Sequence, residues 1–234
     1  MYLQNATTMD PDTAILTSWH ANAANWIATI DHDEISSRVL VTNAAIVQTV
    51  LSYPIQSILD IGCGEGWLTR ALQAQGKQAF GVDAVPALIE NAIEKGGDYY
   101  AVASFRDIAT GVYTASQPFD AAVINFALLD KEETELLLQH IRMVVRPDGY
   151  LFIQTLHPLV IAGQQPYATG WKEGSWNGMK RTFVQPYQWY FRTIADWVKL
   201  FSGAGLTILQ LEEPVHPETK APMSLIFVLQ VMQE

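Results

Sequence analysis

Ile58-Leu59-Asp60-Ile61-Gly62-Cys63-Gly64-Glu65-Gly66 is the stretch on which the reading of the whole chain turns. An apolar run closing on Asp60-Ile61 reads as a strand. The glycines at 62, 64 and 66 read as a sharp turn, and the residues from Trp67 onward as a helix. Glycine lets the backbone turn sharply and lets a ligand lie against the main chain without meeting a Cβ. The helix behind it presents free N–H groups to an electronegative group. The spacing argues against two phosphate sites. A Gly-x-Gly-x-x-Gly dinucleotide loop needs glycine where Trp67 stands, and a P-loop needs a Gly-Lys-Ser/Thr ending that is missing. The alternative is a tight strand–helix turn with no ligand. It must explain three glycines that weaken a fold unless something requires them.

Outward from this loop, short apolar runs alternate with helical stretches. The spacing predicts strands over 57–61, 78–82, 99–102, 119–125 and 149–155, with helices near 67–75, 86–95 and 131–144 between them. Such alternation implies an α/β, doubly wound, mostly parallel sheet covered on both faces. Arg146-Pro147-Asp148-Gly149 reads as a turn before the fifth strand. Asp83 closes the second predicted strand, beside the glycine loop, where ligands of such sheets sit. A carboxylate there can accept from both hydroxyls of a ribose; a solvated loop aspartate is the alternative.

Upstream, residues 1–17 read as a mobile end, with Asp10-Pro11-Asp12 as a turn or helix start. A helix is expected from Ser18 and a second over 35–51, ended by Tyr53-Pro54. Downstream, the alternation stops over 157–190, which holds three of the chain's seven tryptophans. Thr193-Ile194-Ala195-Asp196 then starts a helix in capping-box fashion, and strands near 206–211 and 223–232 follow as an antiparallel edge pair. The divisions are thus 1–53 cap helices, 56–156 core, 157–190 insertion, and 191–234 closing helix and strand pair, in one domain of 234 residues.

Composition narrows the function. The net charge is −10 and the chain shows no Lys/Arg cluster, which argues against a nucleic-acid binder. No run of 18 apolar residues is present, so no membrane span is expected. Residues 1–17 lack a positive charge and an apolar run, so no signal peptide is expected and the cytoplasm is the expected location. The one cysteine, Cys63, excludes an internal disulfide or a zinc cluster, and the scattered histidines suggest no metal site.

Asp60-Ile61-Gly62-Cys63-Gly64-Glu65-Gly66, with Asp83 closing the next strand, resembles the class I S-adenosylmethionine-dependent methyltransferases. More narrowly, the chain resembles the small-molecule members that include the ubiquinone and menaquinone methylases. The resemblance covers about 35–234. It implies a Rossmann-like seven-stranded sheet of order 3-2-1-4-5-7-6 with strand 7 antiparallel. It implies S-adenosylmethionine as cofactor, with Gly62, Cys63 and Gly64 bordering the methionine part and Asp60 near its amino group. Asp83 would bind the ribose, Ala84 and Val85 would flank the adenine, and Asn125 would line the methyl region. The family often has an aspartate after the third strand. Here Ser104-Phe105 stand there and Asp107 comes three residues late, so Ser104, with Phe105 stacking, is the expected adenine contact. Asn125 is not followed by Pro-Pro-Tyr/Phe, the signature of many amino-group methylases on DNA or protein.

For the reacting centre, His157 is the candidate general base, because imidazole exchanges protons near neutral pH; a loop-bracing histidine is the alternative. Trp171, Trp176, Tyr187, Trp189 and Tyr190 would line a lid over a small, planar or lipophilic acceptor. Core packing or a homodimer contact is the alternative. Lys172, Lys180 and Arg181 could meet an acidic acceptor or stay solvated. Trp26 and Arg38 of the cap helices would reach the cofactor, Arg38 through its carboxylate; an Arg38–Glu34 surface pair is the alternative. The implied reaction is methyl transfer to a small molecule, with oxygen favoured. A non-catalytic cofactor-binding subunit is the other reading, and a nicotinamide oxidoreductase is disfavoured by Trp67.

Overall fold

The computed structural model describes residues 10–160 and 166–233. Residues 1–9, read as part of a mobile end, lie outside them. In chain order the described elements are α1 (Pro11–Asp31), a π-helical turn (Arg38–Thr42), α2 (Asn43–Leu51), β1 (Ser57–Ile61), α3 (Trp67–Ala74), β2 (Gln78–Asp83), α4 (Pro86–Gly96) and β3 (Tyr100–Val102). Then come α5 (Phe105–Ala109), β4 (Phe119–Asn125), α6 (Glu132–Gln139), β5 (Val145–Leu156), β6 (Gly170–Lys172), β7 (Trp189–Phe191), α7 (Ile194–Gly203), β8 (Leu206–Glu212) and β9 (Ser224–Val231).

The main sheet runs β3-β2-β1-β4-β5-β9-β8, and β9 lies antiparallel to both neighbours. This is the expected 3-2-1-4-5-7-6 order, because β6 and β7 pair only with each other. Successive side chains of a strand point to opposite faces, and both faces are covered. Leu59, Ile61, Ile124, Ile153 and Phe227 pack with Leu137, Trp197 and Phe201 on one face. Ile58, Val123, Phe152 and Ile226 pack with Ile46, Val50, Leu68 and Leu72 on the other. Double coverage is why the central strands read as unbroken apolar runs.

Four expectations are corrected. α1 begins at Pro11 rather than Ser18: Asp10 caps it by accepting the Thr13 N–H at 3.1 Å, and proline suits the first helical position. The second helix is interrupted by the π-turn at Arg38–Thr42. β5 begins at Val145 rather than 149, and its pairing with β4 shifts register where a turn before the strand was expected. The insertion is not wholly irregular, because β6 and β7 form a hairpin inside it. The predicted cap at Thr193 is present, its hydroxyl accepting the Asp196 N–H at 3.2 Å.

Candidate active site

From β1 the chain steps outward to β2 and β3, then returns to place β4 on the other side of β1. That reversal leaves a crevice beyond the C-terminal ends of β1 and β4, and the glycine loop forms its floor. Gly62 and Cys63 both donate their N–H to Val82 O, at 2.8 and 3.0 Å. Gly62, Gly64 and Gly66 all have positive φ, at 73°, 59° and 82°. A Cβ on Gly62 would stand 2.5 Å from Ala127 Cβ, and one on Gly66 2.7 Å from the Tyr100 ring. Packing within the protein therefore requires these two glycines. Gly64 alone keeps an open side, with Trp26 Nε1 at 3.5 Å.

Asp83 is tied to the same loop. Its Oδ2 accepts the Gly64 N–H and its Oδ1 the Val85 N–H, each at 2.9 Å. Burial pushes its carboxyl up, and the two N–H bonds oppose that shift. Each oxygen keeps a lone pair for a further donor. Val85 is buried with Leu88 and Ala23 in a cluster that Trp19, Trp26 and Ile27 complete, which holds α1 above the loop. Ala84 lies part-buried beside it.

Asp60 points under the loop, not into the crevice. It is 1% exposed, accepts the Thr69 hydroxyl at 2.8 Å, and burial pushes its carboxyl up to about 7. Cys63 is buried, and burial together with nearby Asp60 and Asp83 raises its thiol far from reactivity. The Ser104 hydroxyl donates to Asp107 at 2.7 Å and accepts its N–H at 3.1 Å, so the cap occupies most of its bonding capacity. Phe105 lies 3.9 Å from where a Gly62 Cβ would stand and so borders the loop. Asn125 ends β4 with its Oδ1 buried and unpartnered.

Arg38 leaves the π-turn inward. Its guanidinium lies over Trp67 at 4.9 Å and Trp26 at 5.7 Å. Its Nη2 is buried without a partner, and burial draws its pKa down to about 10. The proposed Arg38–Glu34 pair is not formed: Glu34 takes the fork of Arg181 at 3.0 and 2.9 Å, because the insertion folds back onto α1. A cavity of about 240 Å³ opens beside Arg38, walled also by Glu65, Trp67, Arg70 and Thr29; Asp83 and Asn125 are not in its wall. Glu65 is a residue that sequence reasoning missed. It is buried inside the loop and pairs with Arg70 at 2.6 Å.

The structure splits the five aromatic lid candidates. Trp176 and Tyr187 meet α1: Trp19 Nε1 donates to Tyr187 Oη at 3.2 Å, and Trp176 Nε1 donates to Ser18 Oγ at 3.0 Å. Trp171 and Tyr190 pack edge-to-face across the β6–β7 hairpin, and Trp189 packs on Phe191. The Tyr190 N–H donates to Leu129 O at 2.7 Å, which docks the hairpin on the loop after β4. Lys172 is buried and donates to Pro166 O, so neither it nor Arg181 is a free cation. His157 is 4% exposed. Its Nδ1 accepts the Leu159 N–H at 3.2 Å, which leaves Nε2 to donate to Glu213 Oε1 at 2.7 Å. Among the described residues, no group of three His, Cys, Asp or Glu side chains could hold a metal ion, and no helix is long and apolar enough to cross a membrane.

Against known proteins, a family model described as a methyltransferase domain matches residues 35–211. An uncharacterized methyltransferase of Geobacillus sp. (strain WCH70) is 24% identical over 180 residues, covering 76% of this chain and 82% of the relative. The mitochondrial ubiquinone biosynthesis O-methyltransferase of Homo sapiens is 34% identical over 121 residues. That match covers 48% of this chain and spans only 31% of the human protein. Among solved structures, Burkholderia thailandensis 1,6-didemethyltoxoflavin-N1-methyltransferase superposes with a TM-score of 0.67 at 16% identity, covering 98% of this chain and 93% of that one. Matched over most of its length, the chain belongs to the methyltransferase domain family and is a class I, S-adenosylmethionine-dependent member of it.

Proposed function

We propose that the protein methylates a small aromatic or quinone-like molecule in the cytoplasm, on oxygen. The observation that carries the binding half of this reading is Asp83, fixed by two N–H bonds to the loop it shares with Gly64 while keeping lone pairs for ribose hydroxyls. One orphaned buried atom fits the same group: Arg38 Nη2 suits a carboxylate. Residues to hold it are therefore Gly62, Gly64, Asp83 and Arg38, with Trp26 above the loop. When bound, S-adenosylmethionine supplies an activated methyl on a sulfonium.

The protein's own work is then alignment, exclusion of water and removal of one proton. Trp26 and the Trp176–Tyr187 group supply apolar walls whose faces favour a cation. His157 takes the acceptor's proton at Nδ1, releasing the Leu159 N–H, while Glu213 holds the opposite N–H and so orients the ring. Oxygen as the acceptor atom draws support from the ubiquinone O-methyltransferase relatives and from this base. Calorimetric titration with S-adenosylhomocysteine tests the cofactor half, and absence of binding overturns it. For the chemistry, His157→Ala is expected to leave that affinity nearly unchanged and to lower kcat by roughly 10²–10⁴. Unchanged turnover on an identified acceptor would make His157 a loop brace.

A further inference from the structure

Two unpartnered polar atoms lie side by side on the central strands. Gln154, near the end of β5, is 1% exposed. Its Nε2 donates to Ser224 Oγ on β9 at 2.8 Å, and its Oε1 is buried without a partner. Asn125 Oδ1 is in the same condition. The two residues are register partners on the parallel β4–β5 pair, so their side chains leave the sheet on one face. Val123 and Phe152, two residues earlier on each strand, place that face under α2 and α3. The polar neighbours on this face are Ser224, already bonded to Gln154, and Asp60, the register partner of Val123; neither satisfies the two amide oxygens, which stay unpaired out of water.

β4 borders the switch-point crevice on one side and β5 on the other. The amide pair therefore begins at the edge of the cofactor's place and extends one strand beyond it, toward His157 and the insertion. We propose that Asn125 and Gln154 form the specificity subsite for the methyl acceptor, and that the acceptor presents a two-donor group there: a primary amino group or a pair of adjacent hydroxyls. Two carbonyl oxygens have no hydrogen to give, so they attract N–H and O–H and repel ethers, ketones and bare ring edges. A ligand of the wrong kind leaves both unpaired out of water, which is the stronger form of discrimination. The inference rests on the methyl-transfer reading.

The test uses wild type, Gln154→Leu and Gln154→Met, each saturated with S-adenosylhomocysteine. Calorimetry with catechol and aniline, against their fully methylated counterparts veratrole and N,N-dimethylaniline, separates the hydroxyl and amino forms of the donor. Wild type is expected to bind at least one donor probe about tenfold tighter than its methylated counterpart. Both variants are expected to reduce that ratio to about threefold or less, with S-adenosylhomocysteine affinity within about threefold and the fold intact by thermal melting. A ratio that both variants leave unchanged overturns the inference. So does a wild type that shows no donor preference or binds no probe. A larger loss of S-adenosylhomocysteine affinity also overturns it, since the pair would then serve the cofactor. Failure of wild type to bind S-adenosylhomocysteine overturns the methyl-transfer reading as well, whereas intact cofactor binding without the donor preference overturns this inference alone.

Discussion

At the residue scale, two aspartates a short distance apart in the same loop region do opposite things. Asp83 reaches round to the loop's N–H groups and keeps spare acceptor capacity. Charge-assisted bonds to two ribose hydroxyls are worth about 1.5–3 kcal/mol each out of water. Asp83→Ala should therefore weaken S-adenosylhomocysteine by roughly 30- to 1,000-fold after water refills the site, and Asp83→Asn by less. Calorimetry decides, and Asp83→Ala within threefold of wild type would sink this assignment. Asp60 instead is enclosed with Thr69, and burial pushes its carboxyl up to about 7. A carboxyl raised on folding destabilises the fold when ionised. Its cost is absent below the unfolded-state value near 4, grows as pH rises, and is complete above about 7. Asp60→Asn keeps the Thr69 bond and removes the charge. It is expected to raise unfolding free energy by about 1–4 kcal/mol at pH 8, the gain shrinking as pH falls toward 4. Denaturant melts at both ends of that range check the trend, and a gain that does not change with pH counts against it.

At the element scale, α1 and the second half of the insertion close on each other. Asn22 is fully buried; its amide donates to Val184 O at 2.7 Å and its Oδ1 accepts the Val184 N–H at 2.8 Å. Asn25 donates to Thr182 O at 2.8 Å, and the Arg181–Glu34 fork continues the seam. The β6–β7 half docks elsewhere, through Tyr190 on Leu129 and through Arg192, whose guanidinium donates to Asp130 O and Lys131 O at 3.0 Å. The insertion thus has a fixed base and a flap clasped to the helix that covers the glycine loop. Asn22→Ala strips both backbone partners from Val184 and should cost about 1–3 kcal/mol. It should also raise the rate of proteolytic cleavage within 174–187, with bound S-adenosylhomocysteine slowing cleavage in wild type. Cleavage rates indifferent to both the substitution and the ligand would separate the flap from α1.

At the scale of the whole molecule, Tyr100 on the edge strand β3 wedges against three glycines from three elements. A Cβ would stand 2.7 Å from it at Gly66 and at Gly81, and 2.9 Å from it at Gly96. Gly66→Ala must meet that ring and also adopt a φ of 82°, so a loss of about 2–4 kcal/mol is expected. In a Tyr100→Ala background the same step should cost at least about 1 kcal/mol less, read from a double-mutant cycle of denaturant melts; equal costs would leave backbone strain as the whole cause. Nothing in the spacing of 62, 64 and 66 distinguishes a glycine that faces a ligand from one that faces Tyr100 or Ala127. The alternation of strand and helix, the loop at 62–66 and Asp83 at a strand end were legible because they follow from local periodicity and from backbone freedom, which neighbouring residues set. Capping at Thr193 was legible for the same reason, and the Ser104–Asp107 box carries the same local signal. By contrast, the pairing of Glu34 with Arg181 joins residues 147 positions apart, and the unpartnered amide oxygens of Asn125 and Gln154 share one face only because β4 and β5 are in register. The sequence by itself determined the alternation of strand and helix, the glycine turn and the place of Asp83 at a strand end, since short-range chemistry writes all three. Only the tertiary structure decided which distant side chains meet, because contacts between distant segments depend on packing that no local pattern records.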